Sequence, residues 1–146
     1  MQLRELQVKL LRAGAKLPVR ETEGSVGFDI SACLDDEVVV GPGETHMIGS
    51  GVAIALETGY AAFIYARSGL GIKHGIIPAN CVGVIDSDYR GEIIVGLRNT
   101  SDIPFTVKNG DRIAQMVISK CELPKPILCE RLIDTQRGSG GFGSTG

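Results

Sequence analysis

The sequence predicts an all-β protein, a sandwich or barrel, on three observations. Short runs rich in Val, Ile, Tyr and Phe recur along the chain, and clusters of Gly, Pro, Asn and Asp separate them. With 20 glycines and six prolines in 146 residues, no segment is free enough of breakers to form a long helix. The runs fall at residues 6–11, 26–32, 37–40, 45–48, 52–56, 60–66, 82–85, 92–97, 105–107, 112–118 and 127–132. Gly41-Pro42-Gly43 supplies the reversal after 37–40, and Glu57-Thr58-Gly59 the one after 52–56. Residues 67–73 are the one segment suited to a short helical turn. In 92–97, Ile93, Val95 and Leu97 alternate with Ile94, Gly96 and Arg98, so this strand is apolar on both faces for part of its length and is expected in the middle of the assembly. Lys108-Asn109-Gly110-Asp111 turns the chain into 112–118, and Pro124-Lys125-Pro126 precedes the last run.

The length suits one domain, and 43% hydrophobic with 22% charged residues is ordinary for a globular chain. A net charge of -2 provides no field for a nucleic-acid backbone, so polymeric DNA or RNA is not an expected partner. No run approaches the ~18 apolar residues of a membrane span, and the N-terminal MQLRELQVKLL carries charges within its apolar run, unlike a signal peptide. The expected location is the cytoplasm. Cys33, Cys81, Cys121 and Cys129 lack CxxC spacing and have only His46 and His74 to join them, so neither zinc nor a disulfide framework is expected. Buried or inert thiols are the expectation.

Polar residues interrupt the β pattern at a few places. Residues 83–92 bring Asp86, Ser87, Asp88 and Tyr89 together directly after an apolar run. Read alone this is equally a hairpin tip with Asx turns and a carboxylate held at a strand end, where it could orient a water as a general base. Tyr89 would then wall a pocket. Arg67, Ser68 and Gly69 close another apolar run with an arginine, a hydroxyl and a flexible backbone, which suits an anion or an exposed turn. Asp111 and Arg112 could form a salt bridge, and Gln115 sits inside an apolar strand where its amide needs a partner. Asp29, an acid between Phe28 and Ile30, reads as a structural hydrogen-bonding residue. No Walker A lysine motif and no GxGxxG after a strand occurs, so neither a P-loop nor a Rossmann nucleotide site is expected.

Residues 137–146 hold five glycines, Arg137, one aromatic ring at Phe142, and hydroxyls at Ser144 and Thr145. Such a composition cannot build a packed element, and a flexible linker is the plain reading. An arginine and a phenylalanine five residues apart suit a mobile lid better, with glycine N–H groups near phosphate and a flat face for a base.

In their order these segments resemble the five motifs of the trimeric dUTP diphosphatase (dUTPase) family: 25–32, 67–71, 80–92, 110–117 and 137–146. Ala66 stands where the family commonly has proline, and Val26 where it usually has alanine. The resemblance implies a jelly-roll-like β-sandwich, with residues 1–136 as the dUTPase-like domain and 137–146 as a mobile phosphate-binding lid. It implies a homotrimer with active sites at subunit interfaces, dUTP as partner, and no membrane. The reaction implied is attack of water on the α-phosphorus of dUTP, giving dUMP and pyrophosphate, with Mg2+ bound through substrate phosphates and waters rather than a protein cage. Carried over by position, Asp86 is the base, Tyr89 packs beneath the deoxyribose, and Asn80 reads the uracil edge. Arg67, Ser68, Gly69 and Gln115 hold phosphates, Arg137 clamps the γ-phosphate, Phe142 stacks on uracil, and Gly143, Ser144 and Thr145 close around the triphosphate. Two alternatives share the fold: a dCTP deaminase, which would need an acid/base beside the pyrimidine ring, and a non-catalytic nucleotide binder, for which a positioned base has no use.

Overall fold

The computed structural model of the chain describes residues 5–143. Its strands are β1 (Gln7–Leu10), β2 (Phe28–Ser31), β3 (Val38–Val40), β4 (Thr45–Gly49), β5 (Val52–Ala55), β6 (Tyr60–Tyr65), β7 (Ile76–Pro78), β8 (Gly83–Ile85), β9 (Ile94–Asn99), β10 (Phe105–Val107) and β11 (Arg112–Lys120). A five-residue π-helical turn, Gly69–Lys73, links β6 to β7. The strands pair antiparallel in four ladders: β1 with β5, β3 with β10, β2-β11-β6-β8, and β4-β9-β7. The result is an all-β, jelly-roll-like sandwich.

Alternation along the strands decides which face is buried. In the four-stranded sheet Ile30 lies opposite Ala114, and Met116 opposite Ile64; all four side chains are buried. The other face presents Asp29, Gln115 and Tyr65 at one level of the ladder, then Val117, Phe63 and Val84 at the next. From the second sheet Ile48, Ile76, Val95 and Leu97 complete the core, each buried aliphatic side chain contributing roughly 1.5–3 kcal/mol. Asn99 is buried at the end of β9 and fully used: its amide donates to Val40 O at 2.9 Å and Ile103 O at 2.7 Å, and its Oδ1 accepts from Ser101 N and Oγ.

β9 does run between β4 and β7, but its second face is not covered within the chain, since Ile94 is half exposed. β7 has no counterpart among the expected strands. It has only three residues and ends on Pro78, which an edge position tolerates because no N–H is needed there. Conversely, residues 127–132 are not a strand. They have the composition of one but no neighbour to pair with among the described residues, and Ile127, Leu128, Leu132 and Ile133 project outward. Of the four free thiols, Cys33 is buried, Cys81 and Cys129 are exposed, and Cys121 is partly so. Among the described residues no helix is long and apolar enough to cross a membrane.

Candidate active site

Two clefts collect most of the residues singled out by the sequence. The first, of about 540 Å³, lies between the β4-β9-β7 sheet and β8, and is lined by Asn80, Gly83, Asp86, Tyr89 and Glu92 with an apolar floor that includes Ile64, Pro78 and Val95. Asn80 sits in the turn that follows β7, where Val82 N donates to Asn80 O at 2.7 Å and Cys81 adopts a φ of 64°. Asp86 immediately follows β8, as expected. The strand before it is buried only through Ile85, because β8 is an edge strand, and the Asp86 carboxylate is exposed to solvent. Tyr89 N donates to Asp86 O at 3.1 Å, closing the hairpin, and the Tyr89 hydroxyl donates to Glu92 O at 3.0 Å. The tyrosine therefore walls this cleft through a fixed ring.

The second cleft, of about 380 Å³, is lined by Ser25, Gly27, Asp29, Arg67, Ser68, Arg112 and Gln115 among others, and shares no lining residue with the first. Its organiser is Asp29. Arg67 Nε donates to Asp29 Oδ1 at 2.8 Å, and Arg112 Nη1 donates to Asp29 Oδ2 at 3.1 Å. Arg112 also reaches Glu21 Oε2 at 3.0 Å, on a carboxylate far more exposed than that of Asp29. The expected Asp111–Arg112 pair does not form. A register shift in β11 between Arg112 and Ala114 re-aims Arg112 toward β2, and Asp111 instead accepts from Lys108 N at 2.8 Å, closing its own turn. Gln115 finds the partner its burial required: Nε2 donates to Ala66 O at 2.9 Å, fixing the backbone just before Arg67. Room for that amide exists because Gly27 lacks a Cβ, which would lie 2.5 Å from Gln115 Oε1. Ser68 and Gly69 form the start of the π-helical turn, both exposed, and Gly69 is not part of the cleft lining.

None of the described residues 137–143 lines either cleft. Arg137 Nε donates to Gly140 O at 3.1 Å, and Gly138 N donates to Thr135 O and Oγ1, closing local turns. Phe142, at a φ of 51°, has a relative exposure of 114%, and Gly143 follows at a φ of 82°. Ser144 and Thr145 lie outside the described residues. Among the described residues no three His, Cys, Asp or Glu side chains gather to hold a metal ion.

Sequence reasoning did not single out Arg12, Gly91 or Glu92 in this region. Arg12 Nη1 meets Glu92 Oε1 at 2.6 Å, which holds the guanidinium even more firmly protonated than usual, and the same carboxylate oxygen accepts from Gly51 N at 2.7 Å. The only signal was a glutamate at the entrance to an apolar strand, which many surface strands share.

A family model described as dUTPase matches residues 13–146 of the chain. The deoxyuridine 5'-triphosphate nucleotidohydrolase of Neisseria meningitidis serogroup A is 51% identical over 145 residues, covering 97% of each chain. That of Desulfitobacterium hafniense is 52% identical over 132 residues, covering 90% of this chain and 87% of the relative. Among solved structures, a Staphylococcus bacteriophage 80alpha dUTPase variant with dUpNHpp superposes with a TM-score of 0.89 at 27% identity, covering 99% of both chains.

Proposed function

The chain belongs to the dUTPase family and hydrolyses dUTP to dUMP and pyrophosphate, and from that premise we propose how its residues divide the work. The observation that carries the proposal is the separation of two chemically different clefts within one subunit. The first has an apolar floor, the Asn80 amide and the carboxylates of Asp86 and Glu92, which suits a pyrimidine nucleoside beside a reacting water. The second has two guanidiniums held by the Asp29 and Glu21 carboxylates, the hydroxyls of Ser25 and Ser68 and the Gln115 amide, a set of donors that suits phosphates.

In the first cleft Asn80 and the backbone of the following hairpin read the uracil edge. Cytosine is rejected by mismatched donors and thymine by lack of space for its methyl. Tyr89 lies beneath the deoxyribose and occupies the volume of a ribose 2′-hydroxyl. Asp86 accepts a proton from water as the oxygen attacks the α-phosphorus; the α–β bridging bond breaks and pyrophosphate leaves with its electron pair. Exposure of Asp86 in the single subunit keeps it open to that water. Arg67, Ser68, Gly69 and Gln115 hold the phosphates, with Asp29 and Arg112 keeping the Arg67 guanidinium in place. Arg137 takes the γ-phosphate, Phe142 stacks on uracil, and Gly143, Ser144 and Thr145 close the lid formed by residues 137–146 over the body, 1–136.

A triphosphate brings about four negative charges, more than Arg67 and Arg137 neutralise, and Asp29 is already engaged by Arg67 and Arg112. With no free carboxylate beside these arginines among the described residues, Mg2+ would be held through phosphate oxygens and waters, and would supply the remaining charge neutralisation.

The two clefts share no lining residue and the described tail residues line neither, which supports a complete site formed between subunits of a homotrimer. The partly exposed face bearing Phe63, Tyr65, Val84 and Val117, and the outward Ile127, Leu128 and Ile133, are apolar surfaces that a second and third copy would cover. The protein acts in the cytoplasm. Mixing two inactive proteins tests the arrangement: Asp86→Asn and a chain lacking residues 137–146 are co-refolded and assayed for pyrophosphate. Regained activity is expected, as one site then draws Asp86 from one subunit and the tail from another. No recovery in assemblies shown to contain both chains would place base and tail in a single subunit.

A further inference from the structure

Gly91 is a glycine for a reason the backbone does not supply. Many glycines of this chain sit at positive φ, among them Gly51, Gly59 and Gly110; Gly91 does not, so an alanine could adopt its conformation. What prevents one is the Tyr89 ring. A Cβ on Gly91 would overlap the Tyr89 hydroxyl oxygen and lie 2.5 Å from Cζ and 2.9 Å from Cε2. Ordinary carbon–carbon contact is about 3.5 Å, so the ring would have to retreat by roughly 1 Å.

The remaining contacts show how narrowly the ring is held. Its hydroxyl donates to Glu92 O at 3.0 Å. That carbonyl belongs to a residue whose side chain is tied to Arg12 at 2.6 Å and to Gly51 N at 2.7 Å. The next residue is pinned in both directions: Ile93 N donates to Val52 O at 2.8 Å, and Ile93 O accepts from Ser50 Oγ at 2.7 Å and from Ser50 N. On the other side, Arg90 Nη1 donates to Ser87 O at 2.6 Å and Tyr89 O at 3.0 Å, clamping the hairpin backbone. Tyr89 nevertheless remains 46% exposed, with one side of the ring open to the cleft. The ring is thus fixed by its hydroxyl and by the bare Cα of Gly91, rather than by burial.

We infer that Gly91 is a positioning residue for sugar selection: by lacking a Cβ it seats the Tyr89 ring against the hairpin, at the height from which it excludes a ribose 2′-hydroxyl. The inference rests on the assignment of Tyr89 to the deoxyribose. A shift of about 1 Å both breaks the bond to Glu92 O and moves the ring off the sugar, and a hydroxyl needs little more space than that.

The test measures kcat/KM for dUTP and UTP, with Mg2+, in the full-length wild type, Gly91→Ala, Tyr89→Ala and the double variant, with melting temperatures alongside. Gly91→Ala is expected to narrow the dUTP/UTP ratio by about tenfold or more. Adding it to Tyr89→Ala should narrow the ratio no further, because the ring it displaces is already gone. An unchanged ratio in Gly91→Ala, beside a collapsed one in Tyr89→Ala, would overturn the seat while leaving the role of Tyr89 intact. An unchanged ratio in Tyr89→Ala would overturn both. If Gly91→Ala is too unstable to assay, the double variant decides through its melting temperature: recovery locates the clash at the ring, and equal instability refutes it.

Discussion

Residues 5–120 and residues 121–143 follow opposite rules. In the first region alternate apolar side chains of the strands build a common core, and buried polar groups such as Ser50 and Asn99 have their partners. In the second no strand forms, Leu128 and Phe142 are as exposed as in an unfolded chain, and beyond the bond from Cys121 N to Gly59 O the described side-chain bonds are local: Arg131 to Asp134, Arg137 to Gly140. The body therefore has its own reasons to fold. Ordering the tail costs roughly 1–2 kcal/mol per residue with no core to offset it, so its closure must draw on ligand contacts. Folding and catalysis are separable in this protein to the extent that the two regions are.

The largest effect that could break this division lies in the body. Asp86→Asn is expected to leave the melting temperature within a few degrees of wild type, since the carboxylate is exposed and makes no structural bond among the described residues, while lowering kcat by about 10²–10⁴-fold in a pyrophosphate-release assay. More than a tenth of wild-type turnover would remove Asp86 from the role of base. Next comes deletion of residues 137–146. Assembly mass and melting temperature should be retained while kcat/KM for dUTP falls by roughly a hundredfold or more, from the combined loss of a charge-assisted clamp and a stacking ring. A large drop in melting temperature would mean that the tail belongs to the fold after all.

Phe142→Ala sharpens the comparison within the tail. Stacking on an aromatic ring is worth about 1–3 kcal/mol, so kcat/KM should fall by about 5–150-fold, short of the full deletion. A loss equal to the deletion would leave Arg137 and the glycines without a contribution. The smallest effect belongs to the body's surface. Glu44 Oε2 accepts from Gly41 N at 2.8 Å and faces His46 at 3.0 Å, and these contacts, the backbone bond first, hold its carboxyl below the ordinary value of 4.5. A depressed folded pKa contributes stability that is present above the unfolded value and is lost as pH falls through the folded one. Glu44→Gln should therefore differ slightly from wild type in melting temperature at neutral pH and converge with it in acid below 4.5, as followed by calorimetry. A difference independent of pH would show that the charge plays no part.

Most of the strands and their turns were legible from residue order, because strand alternation and turn chemistry act within a few residues. Gly41-Pro42-Gly43 and Glu57-Thr58-Gly59 do turn the chain between strands, and the glycine-rich residues 137–143 form no strand. The same local reasoning over-read residues 127–132. A strand needs a neighbour as well as a β-rich composition, and none of the described residues supplies one.

By itself, then, the sequence determined the all-β class, through residue type and short spacing, and the resemblance to the family, through the order of five segments. Tertiary structure alone decided which polar groups meet. Asp29 reads in the sequence as a structural hydrogen-bonding acid and is one, but its partner Arg112, 83 positions away and expected to pair with Asp111, reaches it only because β2 and β11 pair with a register shift. Whether Gly91 serves the backbone or a ring depends on where Tyr89 folds back, and the division of the site into two unconnected clefts depends on how four ladders pack. Contacts of that kind are set by long-range registry and excluded volume, which no local window of sequence contains.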